Sequence, residues 1–256
     1  SSVDDFSALV KGGGDTLHIP KIAMDGTETK AVSTAVTFSA GTSPEGKVDL
    51  SIDKHKYLAN IFEDLALIQS NSDLISKYTQ MFGESLARTV EDDIWEELDG
   101  FQTGQDLAED NRIQAADLEG ILNNLYSMDI DPNGCSMAVN NNILSDMLNP
   151  DNGIAKYFIR QDAVGNGAGL QTGAVGLIYG MNVFYSRSIS SSDADGTKVG
   201  AVYVPGACAF AAQQDVRVQA QYDVEYLGTK VVADMVYGVK LIDESGHLMG
   251  LNLVNP

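Results

Sequence analysis

The sequence predicts an α+β fold with a mixed sheet. Three observations carry it. A ribbon of small residues with period-two alternation fills positions 15–51, a single long helical pattern runs from Leu74 to Leu98, and a mixed section then gives way to closing strands. At 256 residues the chain is long enough for one large domain or two intimate ones. Apolar residues make up 44% and charged residues 20%, ordinary globular usage that argues against wholesale disorder. No run of about 18 apolar residues exists, so no segment reads as a membrane-spanning helix. The start "SSVDDFSALV" lacks the flank and apolar stretch of a secretory signal. It also lacks an initiator Met, as expected of a processed chain or of one that begins upstream.

Residues 1–14 end in "KGGGD", a tether that reads as an arm rather than core. "TLHIPKIAM" and "AVSTAVTFSA" are extended segments joined by "DGTETK", whose Asp25-Gly26 signals a hairpin turn. After the "GTSPEG" turn, Val48, Leu50 and Ile52 alternate with Asp49, Ser51 and Asp53. Continued, the alternation puts Lys54 and Lys56 on the apolar face, so the strand is expected to leave its sheet near Asp53. The ribbon carries few large side chains and cannot build a core alone. It needs another surface to lie on.

"YLANIFEDLALIQ" is mixed, and Asn71–Asp73 supply N-cap chemistry for the long helix. Its apolar positions recur mostly every four residues, so the stripe drifts about 40° per step around a 3.6-residue helix. The helix is therefore expected to show different sides to different neighbours, with Gly100 as its stop. "IQAADLEGILNNLYSMDI" predicts a second amphipathic helix, "CSMAVNN" a buried strand and "NILSDML" a helix. "GLIYGMNVFYSRSI" reads as a strand pair or a bulged strand about Gly180, "VGAVYVP" as a buried strand and "GACAFAAQQ" as a short small-residue helix. "DVRVQAQYDVEYLGTKVVADMVYGVKLID" closes with two or three strands.

Charge excludes one class of function. Thirty-six acidic against 16 basic residues give a net −20, and the basic residues are scattered, so no basic face grips nucleic acid. Cys135 and Cys208 read as buried reduced thiols, with a disulfide or metal role as the alternative.

Several motifs invite chemistry. In "DIDPNG", Asp129, Asp131 and Asn133 match the opening of a calcium loop, but the twelfth position is Asn140 where a bidentate Glu belongs. A Pro-Asn-Gly turn explains the same letters. "GNGAGLQTG" has no phosphate-binding lysine and reads as a loop. His18, His55 and His247 fall in no triad or zinc signature. Glu91-Asp92-Asp93 and Glu96-Glu97 read as the solvated face of the long helix. Tyr126, Tyr157, Phe158, Tyr179 and Phe184 fit core or interface packing better than base stacking. No catalytic residues and no cofactor are expected.

"VDLSIDKHKYLANIFEDLALIQSNSDLISKYTQMFGESLARTVEDDI" resembles the coat proteins of tailed bacteriophages, in which a charged strand end passes into a long helix. "LQTGAVGLIYGMNVFYS" and "YDVEYLGTKVVADMVYGVKLI" resemble two later stretches of the same family, so the likeness covers most of residues 15–245. It implies the tailed-phage major capsid fold: an N-terminal arm (1–14), an extended β-hairpin loop (15–51), a peripheral domain (52–109 and 214–256, with a spine helix at 72–99) and an axial domain (110–213). It implies a structural major capsid protein of the virion, forming pentamers and hexamers of an icosahedral shell around double-stranded DNA. Assembly in the host cytoplasm and portal, scaffolding and decoration proteins as partners follow from the same likeness. Intersubunit contacts are expected at Lys21, Lys30, Lys54, His55 and Lys56, the last three next to Glu63 and Asp64. The alternatives are an encapsulin-type compartment shell, a calcium- or metal-dependent enzyme using "DIDPNG", and another virion component such as a tail protein.

Overall fold

Alternating and buried apolar runs become strands, and the four-step stripe becomes a helix. The computed structural model describes residues 3–20, 47–64, 74–109, 112–149, 154, 157–160, 175–242 and 248–256. In chain order the described elements begin with β1 (Val3–Asp5), α1 (Ser7–Val10), β2 (Thr16–Pro20), β3 (Lys47–Ser51), β4 (Lys54–Glu63) and α2 (Leu74–Leu98). There follow β5 (Gly104–Asp106), α3 (Ala115–Ser127), β6 (Ser136–Val139), α4 (Asn141–Leu148) and β7 (Phe158–Arg160). The chain continues with β8 (Gly176–Ile178), β9 (Met181–Tyr185), β10 (Lys198–Tyr203), β11 (Cys208–Asp223), β12 (Gly228–Leu241) and β13 (Gly250–Val254). The 25–26 turn, the 31–40 segment, the 41–46 turn, the 71–73 cap, the 165–173 loop, Lys21, Lys30 and His247 lie outside the described residues.

The strands form a four-stranded sheet ordered β1-β11-β12-β4, a seven-stranded sheet ordered β5-β13-β10-β6-β9-β8-β7, and the pair β2-β3. The class is α+β with a mixed large sheet, since β6 runs parallel to β9 and β13 to β5 while the other pairs are antiparallel. β5 and β13 lie side by side at one end of the seven-stranded sheet.

The joint at Ile52–Asp53 lies where the sequence placed it. β3 ends its pairing with β2 at Ser51, and two residues later β4 begins pairing with β12. The alternation itself carries on. Lys54, Lys56 and Leu58 are half-buried on the inner side, while His55 and Tyr57 are exposed. The joint passes so close over β12 that a Cβ at Gly238 would stand 2.2 Å from the Ser51 carbonyl oxygen. Only a residue without a side chain admits that crossing.

The long helix binds two sheets. Phe82 and Leu86, with Ile75 and Tyr78 beside them, pack on Phe62, Val231 and Ala233 of the four-stranded sheet. A turn or two later Val90, Ile94, Trp95 and Leu98 meet Ala138, Ala201 and Tyr203 of the seven-stranded sheet. The drifting stripe thus does present successive sides to different partners. On the far side of the seven-stranded sheet, Leu118, Ile121 and Leu125 of α3 and Ile143 and Met147 of α4 close the main core with Met137, Val139, Val183 and Leu253. A hairpin joins β8 and β9 through Tyr179 and Gly180, both with positive φ.

The helix stops at Leu98, two residues before Gly100 as expected, although Gly100 itself is not in the left-handed region; two other expectations are corrected. The helix ends where the Lys198 ammonium and the Asn252 amide, 3.0 Å away, donate to the Asp99 carbonyl. "GACAFAAQQ" is strand rather than helix. Cys208 and Ala212 face the core beneath α2, while Ala209 and Ala211 face the ribbon core with Val10, Val48 and Leu50, so small residues let both layers approach. Finally, residues 3–10 do not stand clear of the core: β1 pairs with Cys208–Phe210 and Val10 is buried.

Replacing Gly238 by Ala should force the ribbon off β12 and destabilise the chain by about 1–3 kcal/mol, the usual range for overpacking. Thermal unfolding checks this, and an unchanged midpoint would show that the crossing is not tight.

Candidate functional site

The charged run that suggested a site, Lys54-His55-Lys56, starts β4, and its alternation sends the side chains to opposite faces of the four-stranded sheet. On the inner face both lysines reach one carboxylate of the long helix. Lys54 Nζ lies 3.2 Å from Asp93 Oδ1, and Lys56 Nζ lies 3.7 Å from Asp93 Oδ2. The Tyr237 hydroxyl of β12 donates to the same carboxylate. Asp93 is 6% exposed, so this is a buried node rather than part of a solvated helix face. Burial and the neighbouring Asp93 raise the Tyr237 phenol well above its usual range. Glu91 accepts from the Ser186 hydroxyl at 2.6 Å, and Glu97 accepts from the Leu241 N–H at 3.1 Å. These acids fasten the helix to both sheets; Glu96 remains largely exposed.

On the outer face His55 Nε2 lies 3.3 Å from Asp234 Oδ2. Asp234 also accepts from Arg217 Nε at 3.1 Å and Nη2 at 2.8 Å, and from Gln214 Nε2 at 2.9 Å. The Arg217 hydrogen bonds, helped by Gln214 and His55, hold its carboxyl down at about 2 against the opposing effect of desolvation. Within the chain, the ionic partners of Lys54, His55 and Lys56 are Asp93, Glu96 and Asp234. Lys21 and Lys30 are outside the described residues.

The calcium-like letters form a turn. Asp131 Oδ1 accepts the Asn133 N–H at 2.9 Å, Asp129 and Gly134 adopt positive φ, and Asn133 packs against Gly180. Among the described residues no group of three His, Cys, Asp or Glu could hold a metal ion. Burial pushes the Cys135 thiol up to about 11 and the Cys208 thiol up to about 12, which leaves both protonated and poorly nucleophilic at neutral pH. A cleft of about 380 Å³ beside the end of α2 is lined by Asp92, Trp95, Glu96, Asp99 and Lys198, among others. His18 sits on the exposed ribbon with Asp49.

What the surface offers instead is apolar area. Tyr57 is 69% exposed, and Val224, Tyr226 and Leu227 at the β11–β12 tip are 75%, 58% and 63% exposed. Tyr157 and Tyr179 stack at 5.6 Å in the open. Sequence reasoning missed Asp93, Tyr237, Asp234 and Arg217. One signal pointed to the first: two inward lysines on β4 require an anion on the element that covers them.

Charged constellations brace the fold, and exposed apolar side chains stand beside them. The chain belongs to the phage capsid protein family, whose model matches residues 47–248. It is a self-assembling capsid protein of the virion. Its fold is similar to that of Mycobacterium phage Che8 (21% identity, TM-score 0.72, covering 99% of this chain and 89% of that one). It is also similar to the cyanophage Pam1 capsid (13%, 0.71, 99% and 88%) and to the capsid of a native GTA particle computed with C5 symmetry (12%, 0.67, 100% and 88%). No curated protein matches the sequence.

Because the Asp234 carboxyl is depressed on folding, its contribution is fully present above the ordinary carboxylate value of about 3.9 and is lost as pH falls through about 2. Asp234→Asn should therefore be less stable than the native chain at neutral pH, with the gap closing between about pH 4 and 2. Denaturant unfolding across that range checks it, and a gap independent of pH would refute the assignment.

Proposed function

We propose that this chain is the major shell subunit, assembling as pentamers and hexamers into an icosahedral capsid around double-stranded DNA. The observation that carries the proposal is the family match across residues 47–248, joined to a fold shared along essentially the whole chain with phage capsids. The five-fold symmetry of the GTA particle supports the pentamer. In this reading α2 is the spine helix and the four-stranded sheet is the peripheral domain. The seven-stranded sheet with α3 and α4 is the axial domain that meets its copies around the five- and six-fold axes. The ribbon that starts with β2 and returns through β3 is the extended loop, reaching a neighbouring subunit. Scaffolding, portal and decoration proteins are the further partners.

The charge suits such a wall. A net −20 subunit repels phosphate, so the shell confines DNA without gripping it. Association then rests on apolar and hydrogen-bonded surface, the kind exposed at Tyr57 and the β11–β12 tip. Heterologous contacts that close into rings give the capsomers.

Electron microscopy of the purified chain, alone and with its scaffolding partner, is expected to show closed icosahedral particles or hexamer sheets; a persistent monomer would contradict the proposal. Deleting Asp25–Pro44 should leave a subunit with a cooperative thermal transition that fails to form normal particles. Loss of that transition would mean the loop is part of the subunit's own core.

A further inference from the structure

The β11–β12 ladder carries an unfinished edge. β1 covers β11 only at Cys208–Phe210. Beyond it, the Ala212 N–H donates to Ser7 Oγ, Gln213 donates to the Gly14 carbonyl, and Lys11 pairs with Asp215. From Val216 to Tyr222, among the described residues, no strand lies beyond β11. Every residue of that stretch is exposed, with Val216, Val218 and Tyr222 at 45%, 42% and 49%. Alternate N–H and C=O groups of an antiparallel strand point away from its one partner. Proteins usually blunt such an edge with lysine, proline or a bulge. Here the bulge lies before Arg217, the stretch contains neither Lys nor Pro, and its single charge, Arg217, is tied back to Asp234.

We infer that Val216–Tyr222 of two copies of this chain pair edge to edge, antiparallel and centred on Gln219, joining two four-stranded sheets across a two-fold axis. The sequence "VRVQAQY" is self-complementary in that register. Val216 meets Tyr222, and Val218 meets Ala220. Arg217 meets Gln221, and Gln219 meets itself. Apolar pairs thus share one face and polar pairs the other. The register also sets Asp215 of one copy against Asp223 of the other, which would repel if both were bare. Each acid already holds its own cation, Lys11 on Asp215 and Lys230 on Asp223. That neutralisation at both ends of a stretch whose one charge, Arg217, is already paired with Asp234 argues for a second copy over a basic partner strand. An isologous contact of this kind is what a two-fold between capsomers requires. The inference rests on the shell reading and adds the surface that links one capsomer to the next.

The register is testable because residues facing across an antiparallel pair have Cα atoms about 4.5–5.5 Å apart, within disulfide reach. Assembled particles carrying Gln219→Cys, alone or co-assembled with the native chain, are oxidised mildly and run without reductant. Covalent dimers are expected, with the buried Cys135 and Cys208 silent. Gln221→Cys should not link to its own copy, since the register separates the two by four residues, about 13 Å, but should link to Arg217→Cys in mixed particles. Native particles should also protect the 216–222 amides from hydrogen exchange relative to dissociated subunits. Particles that form normally yet give no Gln219→Cys dimer overturn the inference and leave the shell reading intact, and protection without that dimer assigns the edge to a different partner. A native chain that never assembles overturns the shell reading first.

Discussion

The buried carboxylate of Asp93 is the constraint around which the other parts are arranged. β4 turns two half-buried lysines inward, and an ammonium partly withdrawn from water against a helix is unfavourable without an anion. The helix supplies one, and Tyr237 donates to it from the neighbouring strand. This single group fixes how far along the four-stranded sheet the helix sits. Because the same helix continues to Ile94, Trp95 and Leu98 on the seven-stranded sheet, it also sets the relation between the two sheets. Apolar residues could replace the node with little loss of stability, but a carboxylate held by a phenol hydroxyl and two ammonium groups specifies one alignment where a greasy interface tolerates several.

Charge does two kinds of work in this chain. Part of the acidic excess is internal bracing: Asp93, Asp234, Glu97 and Asp146, the last held by Arg112 at 2.7 and 2.8 Å. Exposed acids among the described residues, such as Glu96 and Asp215, set the sign of the surface. The bracing acids hold the fold, and a surface of that sign repels polyanions.

Much of the fold was legible because periodicity and turn chemistry report local geometry. The β3 alternation, the buried "SMAV" strand, the Tyr179-Gly180 hairpin and the winding helix stripe all follow from spacing alone. What stayed hidden depends on partners distant in sequence. "GACAFAAQQ" has the small residues of a helix, yet layers on both faces need a thin strand there, and that crowding is a tertiary fact. The acidic pairs of α2 look like a solvated face because nothing local to Asp93 tells that β4 and β12 cover it. Likewise "SSVDDFSALV" looks like a loose arm until the free edge of β11 is known to lie beside it.

The central claim, that Asp93 couples helix and sheet through its donors, is tested most directly by a double-mutant cycle on the assembled fold's own subunit. Asp93→Asn, Tyr237→Phe and the double variant are compared with the native chain by denaturant unfolding. The account predicts an interaction energy of about 1 kcal/mol or more, since the two groups share one hydrogen bond in a buried node. Losses that add to within about 0.3 kcal/mol would show independent groups, and the helix would then owe its position to apolar packing alone.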